Sequence, residues 1–212
     1  VRLVLASNNR KKLAELQALL APAGVTLVTL VTQQSLGITE AEEPFATFIE
    51  NALTKARHAA LHANGPAIAD DSGLCVDALG GAPGVVSAHF AAVELPSADR
   101  ETQRRFQDAA NNRLLVERLK GDTNRCARFI STLIAVRSAD DPEPLVAVGR
   151  WHGEILHEAA GAGGFGYDPL MFIPALGQTV AELGPELKNA HSHRALAASQ
   201  MLALMRDAWN LG

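Results

Sequence analysis

The chain is poor in cysteine, in long apolar runs and in excess charge of either sign. Its 212 residues include two cysteines, Cys75 and Cys126, far apart in the sequence. That separation does not suggest a disulfide framework, and both thiols are expected reduced in the core. No stretch approaches the roughly 18 apolar residues of a membrane-spanning helix. The opening Val1-Arg2-Leu3-Val4-Leu5-Ala6 is too short an apolar run for a signal peptide. A cytoplasmic setting fits these absences, and a membrane partner is not expected. A net charge of −4 leaves no global basic field for nucleic acid. An anionic substrate would have to be met by local cations and a metal. What the chain does have is 48% hydrophobic composition, enough for a sizeable core. Its length suits one large domain or a two-lobed single unit.

The hydrophobic pattern predicts a strand over residues 2–6 and a helix carrying Leu13, Leu16, Leu19 and Leu20, ended near Pro22-Ala23-Gly24. A second strand is predicted from Val25 to Val31. A long helix is predicted over 44–64, with Pro44 in its first turn. Strands near 67–70 and 74–76 are expected to flank an acidic turn. A helix over about 98–120 has Ser97 as its candidate N-cap. Two β-rich runs, Cys126–Arg137 and Leu145–Ile155, are joined by a hairpin loop. Thr179-Val180-Ala181-Glu182 has the form of a capping box. The last helix is predicted over about 192–209, with Leu196, Leu202, Met205 and Trp209 available for packing. Early alternation of strands and helices followed by a β meander predicts an α/β fold with a mixed sheet.

Four segments carry chemistry. The most informative is Ala69-Asp70-Asp71-Ser72-Gly73-Leu74, followed by Gly80-Gly81-Ala82-Pro83-Gly84. Adjacent carboxylates repel and ask for a cation or donor nearby. Mg²⁺ is held by one or two carboxylates plus substrate phosphates. Ser7-Asn8-Asn9-Arg10-Lys11-Lys12, between a strand and a helix start, supplies backbone N–H groups and side-chain donors for an anion. It lacks the glycines and the Lys-Ser/Thr ending of a Walker loop. Glu50-Asn51 places a carboxylate near the apolar side of its helix.

Gly161 to Pro169 contains Gly-x-Gly-x-x-Gly, but Pro169 and an apolar strand follow it, which excludes a dinucleotide fold. It reads instead as a flexible loop exposing Phe165 and Tyr167, whose faces can stack on a base. Lys188-Asn189-Ala190-His191-Ser192-His193-Arg194 puts cations at a helix start, against the dipole unless a polar ligand is there. His58 and His62 lack the glutamate of a zinc protease and read as a surface or partly buried pair.

Together with Phe48-Ile49-Glu50-Asn51-Ala52, these motifs occur in an order that closely resembles the inosine/xanthosine triphosphate pyrophosphatases over nearly the full chain. The resemblance implies an α/β fold with two lobes, a long central mixed sheet flanked by helices, and a cleft between the lobes. The whole of 1–212 would form that unit, usually a homodimer. It implies Mg²⁺-dependent hydrolysis of ITP, dITP and XTP to the monophosphate and pyrophosphate. By position, Asn9 and Lys12 would hold the triphosphate, with Ser7, Asn8, Arg10 and Lys11 in the same loop. Glu50 and Asp71 would serve the metal, and Asp71 would also act as general base. Ser72 would contact substrate, and Phe165 would stack on the base. Gly166, Tyr167 and Asp168 would line the pocket, while Lys188, His193 and Arg194 would read the purine. The family commonly has threonine, glycine and asparagine where this chain has Ser7-Asn8-Asn9, and often arginine where His89 stands. The Maf-type nucleotide pyrophosphatases, acting on pyrimidine or modified nucleotides, are the alternative. The glycine loop and Ser192-His193-Arg194 argue against them.

Overall fold

The computed structural model describes residues 2–7, 9–21 and 29–210. Strands β1 (Arg2–Leu5), β2 (Thr29–Thr32), β3 (Ala67–Val76), β4 (Cys126–Val136), β5 (Leu145–Ile155), β6 (Met171–Ile173) and β7 (Gln178–Thr179) form one sheet. Their order is β2-β1-β3-β4-β5-β6-β7. The sheet is mixed: β1 runs parallel to β2 and β3, with Leu3 opposite Leu30 and Leu5 opposite Ile68, whereas β5–β6 and β6–β7 are antiparallel. The helices are α1 (Arg10–Leu20), α2 (Phe48–Ala63), α3 (Arg100–Arg118), α4 (Pro185–His191) and α5 (His193–Ala208).

The chain divides into two compact units, and β3, β4 and β5 contribute residues to both. In the first unit, Leu3, Leu5, Leu16 and Leu20 pack with Met201, Leu202 and Met205 of α5. A second cluster joins Ala52, Ala56, Ala59 and Ala60 of α2 to Val4, Ala67, Ala69 and Ile134. Alanine along that face lets a helix approach a sheet closely while costing little side-chain entropy. The core of the other unit is built from larger side chains, among them Leu115, Phe129, Trp151 and Leu170.

Local chemistry sets the helix starts. Asn9 caps α1, its side chain accepting from the Lys11 and Lys12 amides. Thr47, Asp99 and Ser192 cap α2, α3 and α5 in the same way. These caps move two expected boundaries. The α2 helix starts at Phe48 rather than near Pro44. The α3 cap is Asp99, not Ser97, because the Asp99 carboxylate takes both the Glu101 and Thr102 amides. The last helix starts at His193, as expected, with Ser192 as its cap, and Lys188 lies before it on the separate α4.

Other expectations are corrected as well. Asp70 to Gly73 is the interior of β3, not a polar turn between strands. Thr179 belongs to β7. Glu182 does reach back to the Thr179 amide at 2.8 Å, but the Thr179 hydroxyl donates to Ala160 O and the next helix, α4, starts only at Pro185. Cys75 is buried, whereas Cys126, at the start of β4, is exposed. Leu196 faces outward at 42% exposure, and Ala197, Ala198 and Met201 take the buried face instead. Of the strand expected over 25–31, residues 25–28 lie outside the described residues, as do Pro22, Ala23 and Gly24.

Gly149 on β5 faces the start of α5. A Cβ there would run into the carbonyl oxygen of His193 and the amide nitrogen of Ala197. Both neighbours are backbone and neither can rotate away. Gly149→Ala is expected to destabilise the fold by about 3 kcal/mol, the upper end for overpacking, as read by urea unfolding.

Candidate active site

The chemistry of the first unit centres on two adjacent carboxylates with opposite surroundings. Asp70 is 1% exposed. Its Oδ1 accepts from the Ser131 hydroxyl at 2.6 Å, and its Oδ2 pairs with Lys12 Nζ at 2.8 Å and accepts from Ser72 Oγ at 3.0 Å. Arg194 Nε stands 3.6 Å away. Burial alone would raise the Asp70 pKa, but Lys12 and Arg194 outweigh it and hold the carboxyl far below the usual range.

Asp71 is different. Its Oδ1 accepts from Lys55 Nζ at 3.0 Å, while its Oδ2 is buried with no hydrogen-bond partner among the described residues. Burial, with Glu43 adding to it, raises the Asp71 pKa above the ordinary carboxylate value against the pull of Lys55.

The cations are shared. Lys55 Nζ also donates to the Asp70 carbonyl at 3.1 Å and pairs with Glu43 at 3.1 Å. Lys55 is desolvated, but Asp71 and Glu43 more than compensate and raise its pKa. Lys12 goes the other way: burial, reinforced by Arg194 and Lys55, overrides Asp70 and lowers it. A cation held below its usual pKa gains from an added anion. Arg194 is fastened at both ends of its fork, to Glu15 at 2.8 Å and to Ser72 Oγ at 2.9 Å. Ser7, Lys12, Glu40, Glu43, Lys55 and Asp70 line one pocket.

The first loop is fixed by its own side chains. Ser7 Oγ accepts from the Asn9 amide at 3.1 Å, and Asn9 in turn caps α1. Lys11 is exposed and Lys12 is turned inward. Asn8 lies outside the described residues, and Arg10 opens α1. Glu50 is exposed on the first turn of α2, where its carboxylate accepts from the Thr47 hydroxyl at 2.6 Å.

In the second unit the glycine loop is pinned rather than loose. Asp108 and Asn112, one turn apart on α3, hold the two ends of Gly166: Asp108 accepts from its amide and Asn112 donates to its carbonyl, both at 2.9 Å. Asp168 Oδ2 accepts from the Phe165 amide and from Lys188 Nζ, both at 3.0 Å. Lys188 Nζ lies 4.7 Å from the Phe165 ring centre, a cation over an aromatic face. Gly164 has φ +72°, and a Cβ there would collide with the Asp168 carboxylate.

Tyr167 is not exposed. It is 5% accessible, and its hydroxyl donates to Ser87 O at 2.8 Å. Burial and Asp108 raise its pKa. Its place is therefore in the core. His193 is buried at the start of α5, while His191 and His89 are exposed.

Sequence reasoning overlooked Lys55, Glu43, Glu15 and Ser131. Lys55 had a legible signal, since it is a lysine four residues after Asn51 on a helix otherwise lined with alanine. Glu43 had none, because it lies outside any periodic element. Among the described residues, no three carboxylate, histidine or cysteine groups are placed to hold a metal by themselves. The open, buried Asp71 oxygen fits the weaker requirement of Mg²⁺, which leans on one or two carboxylates and on substrate phosphates.

A carboxylate pair ringed by cations thus sits on a mixed α/β sheet. The chain belongs to the Ham1 family, whose model matches residues 3–204. It is 68% identical over 214 residues to the dITP/XTP pyrophosphatase of Leptothrix cholodnii, covering 100% of both chains. It is 67% identical to the protein of the same name from Methylibium petroleiphilum, covering 99% of each. Among solved structures, a HAM1 protein from Coxiella burnetii superposes with a TM-score of 0.85 at 40% identity, covering 98% of this chain and 100% of that one. The Staphylococcus aureus Ham1 protein gives a TM-score of 0.80 at 32% identity, covering 98% and 99%.

Asp70→Asn leaves Lys12 and Arg194 facing a neutral amide. Breaking such a buried pair is expected to cost about 3 kcal/mol at pH 7. The depressed Asp70 pKa means that its contribution is complete above the unfolded value of about 3.9. It is lost as pH falls from there towards the folded value. Urea unfolding across this acid range should therefore show the gap between wild type and Asp70→Asn closing below about pH 4.

Proposed function

We propose that this chain hydrolyses deaminated purine nucleoside triphosphates, ITP, dITP and XTP, to the monophosphate and pyrophosphate, with Mg²⁺ as cofactor. One observation carries the reading. Asp71 has a buried, unpartnered oxygen beside two lysines, on the same strand residue pair as a fully neutralised Asp70. The names of the relatives agree with it.

In this reading water attacks the α-phosphorus, and Asp71 Oδ2 accepts its proton as general base. Lys12, released from Asp70 towards the anion, stabilises charge developing on the phosphates, and Asn9 and Ser7 hold the loop that presents it. Asn8, Arg10 and Lys11 are assigned to the same phosphate loop. Mg²⁺ supplies charge neutralisation on the phosphate oxygens when bound. Glu50 and Asp71 are the carboxylates proposed for it, and Glu43, which shares Lys55 with Asp71, joins them on geometric grounds.

On the base side, Phe165 stacks, while Lys188, His193 and Arg194 donate to the 6-carbonyl. An adenine amino group would leave those donors unmatched, which a site of buried polar groups rejects strongly. Ser72 contacts substrate, and Gly166 and Asp168 shape the loop around Phe165. A homodimer working in the cytoplasm, with 1–212 as one functional unit, completes the proposal. No described helix is long and apolar enough to cross a membrane.

Pyrophosphate release from ITP, XTP and GTP, with and without Mg²⁺, tests this directly. The expected result is Mg²⁺-dependent release from ITP and XTP, with GTP much slower and EDTA abolishing turnover. Asp71→Asn should lower kcat by about 10² to 10⁴-fold, the range for losing a general base, while ITP still binds. Turnover near wild type in Asp71→Asn would remove the base assignment, and no release from any of the three would remove the substrate class.

A further inference from the structure

The segment leading into α2 is tied along one face of that helix by three side chains. Asn51, Lys55 and His58 are spaced four and then three residues apart, so they project from the same side. Asn51 is 1% exposed. Its Oδ1 accepts from the Phe45 amide at 3.0 Å, and its Nδ2 donates to the Phe45 carbonyl at 3.1 Å. Lys55 holds Glu43 at 3.1 Å. His58 Nε2 donates to the Thr39 carbonyl at 2.9 Å. The segment 39–45 therefore runs back along the helix, fastened near its start, its middle and its end. Below Thr39 it is anchored by Ile38, which is buried, and whose amide donates to Gln33 O at 3.0 Å.

We propose that Asn51 and His58 are positioning residues for the hydrolysis assigned above. They hold the segment so that Glu43 stays on Lys55, and Lys55 in turn grips one oxygen of Asp71 and leaves the other open. This rests on the proposed function but adds two residues whose side-chain hydrogen bonds go to the 39–45 segment rather than to the Asp70–Asp71 pair. The Glu43–Lys55 pair cannot hold the segment alone. The Glu43 side chain is 45% exposed, and ion pairs in such settings contribute little. The backbone tethers on either side are what keep it in register. If they are lost, Glu43 leaves, Lys55 turns wholly to Asp71, and the carboxylate shifts. Misplacement of a reacting group by about 1 Å can cost of the order of 10²-fold. His58 is partly buried and His62 is exposed, in keeping with a surface or partly buried pair. The His62 ring packs against the His58 ring at a tilt of 57°, with centres 4.5 Å apart, beside the ring that carries the tether.

The test uses the full chain and three variants, Asn51→Ala, His58→Ala and His58→Gln. Glutamine keeps an N–H donor at similar reach. kcat and KM for ITP are measured well below each variant's unfolding temperature, and amide hydrogen exchange is followed over residues 39–46. The expected result is a ten- to hundredfold fall in kcat for both alanine variants, with KM moving less than threefold, faster exchange over 39–46, and recovery of most of both effects in His58→Gln. Folded alanine variants whose kcat stays within twofold of wild type overturn the proposal, as does a His58→Gln as impaired as His58→Ala. If the wild type does not hydrolyse ITP, the proposed function fails and exchange alone decides the tether. Faster exchange in both alanine variants but not in His58→Gln supports it, and unchanged exchange overturns it.

Discussion

A carboxylate with almost no solvent exposure needs its charge met from every side, and Asp70 is met by α1, β4 and α5 at once. Lys12, Ser131 and Arg194 come from widely separated parts of the sequence, and each donor is fixed by its own element. Asp70 therefore acts as a structural knot in the first unit. The cost of burying it is offset only when all three elements are in place. That dependence leaves the neighbouring residue with different surroundings. Because Asp70 absorbs Lys12 and Arg194, Asp71 keeps a bare oxygen, and burial keeps that oxygen basic.

The two units present their polar groups in different styles. In the first, charges cluster and compete for partners, which leaves Lys12 underserved and receptive to an anion. In the second, several groups hold backbone in place: Asp108 and Asn112 on Gly166, Asp168 on the Phe165 amide, Tyr167 on Ser87. One arrangement concentrates charge. The other fixes the presentation of an aromatic ring and a lysine.

How much of this could be read from the sequence depended on whether the signal was local. The α/β class, the mixed sheet and most helices followed from apolar periodicity, and Lys12, Asp70 and Asp71 stood out because their motifs are contiguous. The turn expected at Asp70-Asp71 failed for a tertiary reason: the partners that let two carboxylates sit inside a strand come from residues as distant as 131 and 194. Tyr167 failed for a similar reason, since a glycine-rich neighbourhood suggests exposure and only the fold reveals the Ser87 carbonyl waiting for its hydroxyl. Glu43 lies in an acidic run without periodicity, and nothing short of the α2 geometry marks it out from Glu40 or Glu42. Glu50 shows the converse. Its motif is conspicuous, and locally its carboxylate serves the Thr47 cap.

The row of alanines on the inner face of α2 has a consequence for how variation in this chain would be scored. The same helix carries Lys55 on one edge and rests on the sheet through Ala52, Ala56 and Ala59. On the helix side that contact is made mainly by methyl groups, with Leu53 packed beside them. A valine or leucine at any of these positions would act as a wedge, lifting the lysine from the strand without removing a single polar group. In a saturation screen for activity these apolar positions would score as intolerant beside the charged residues, and a chemist ranking residues by functional group would overlook every one of them.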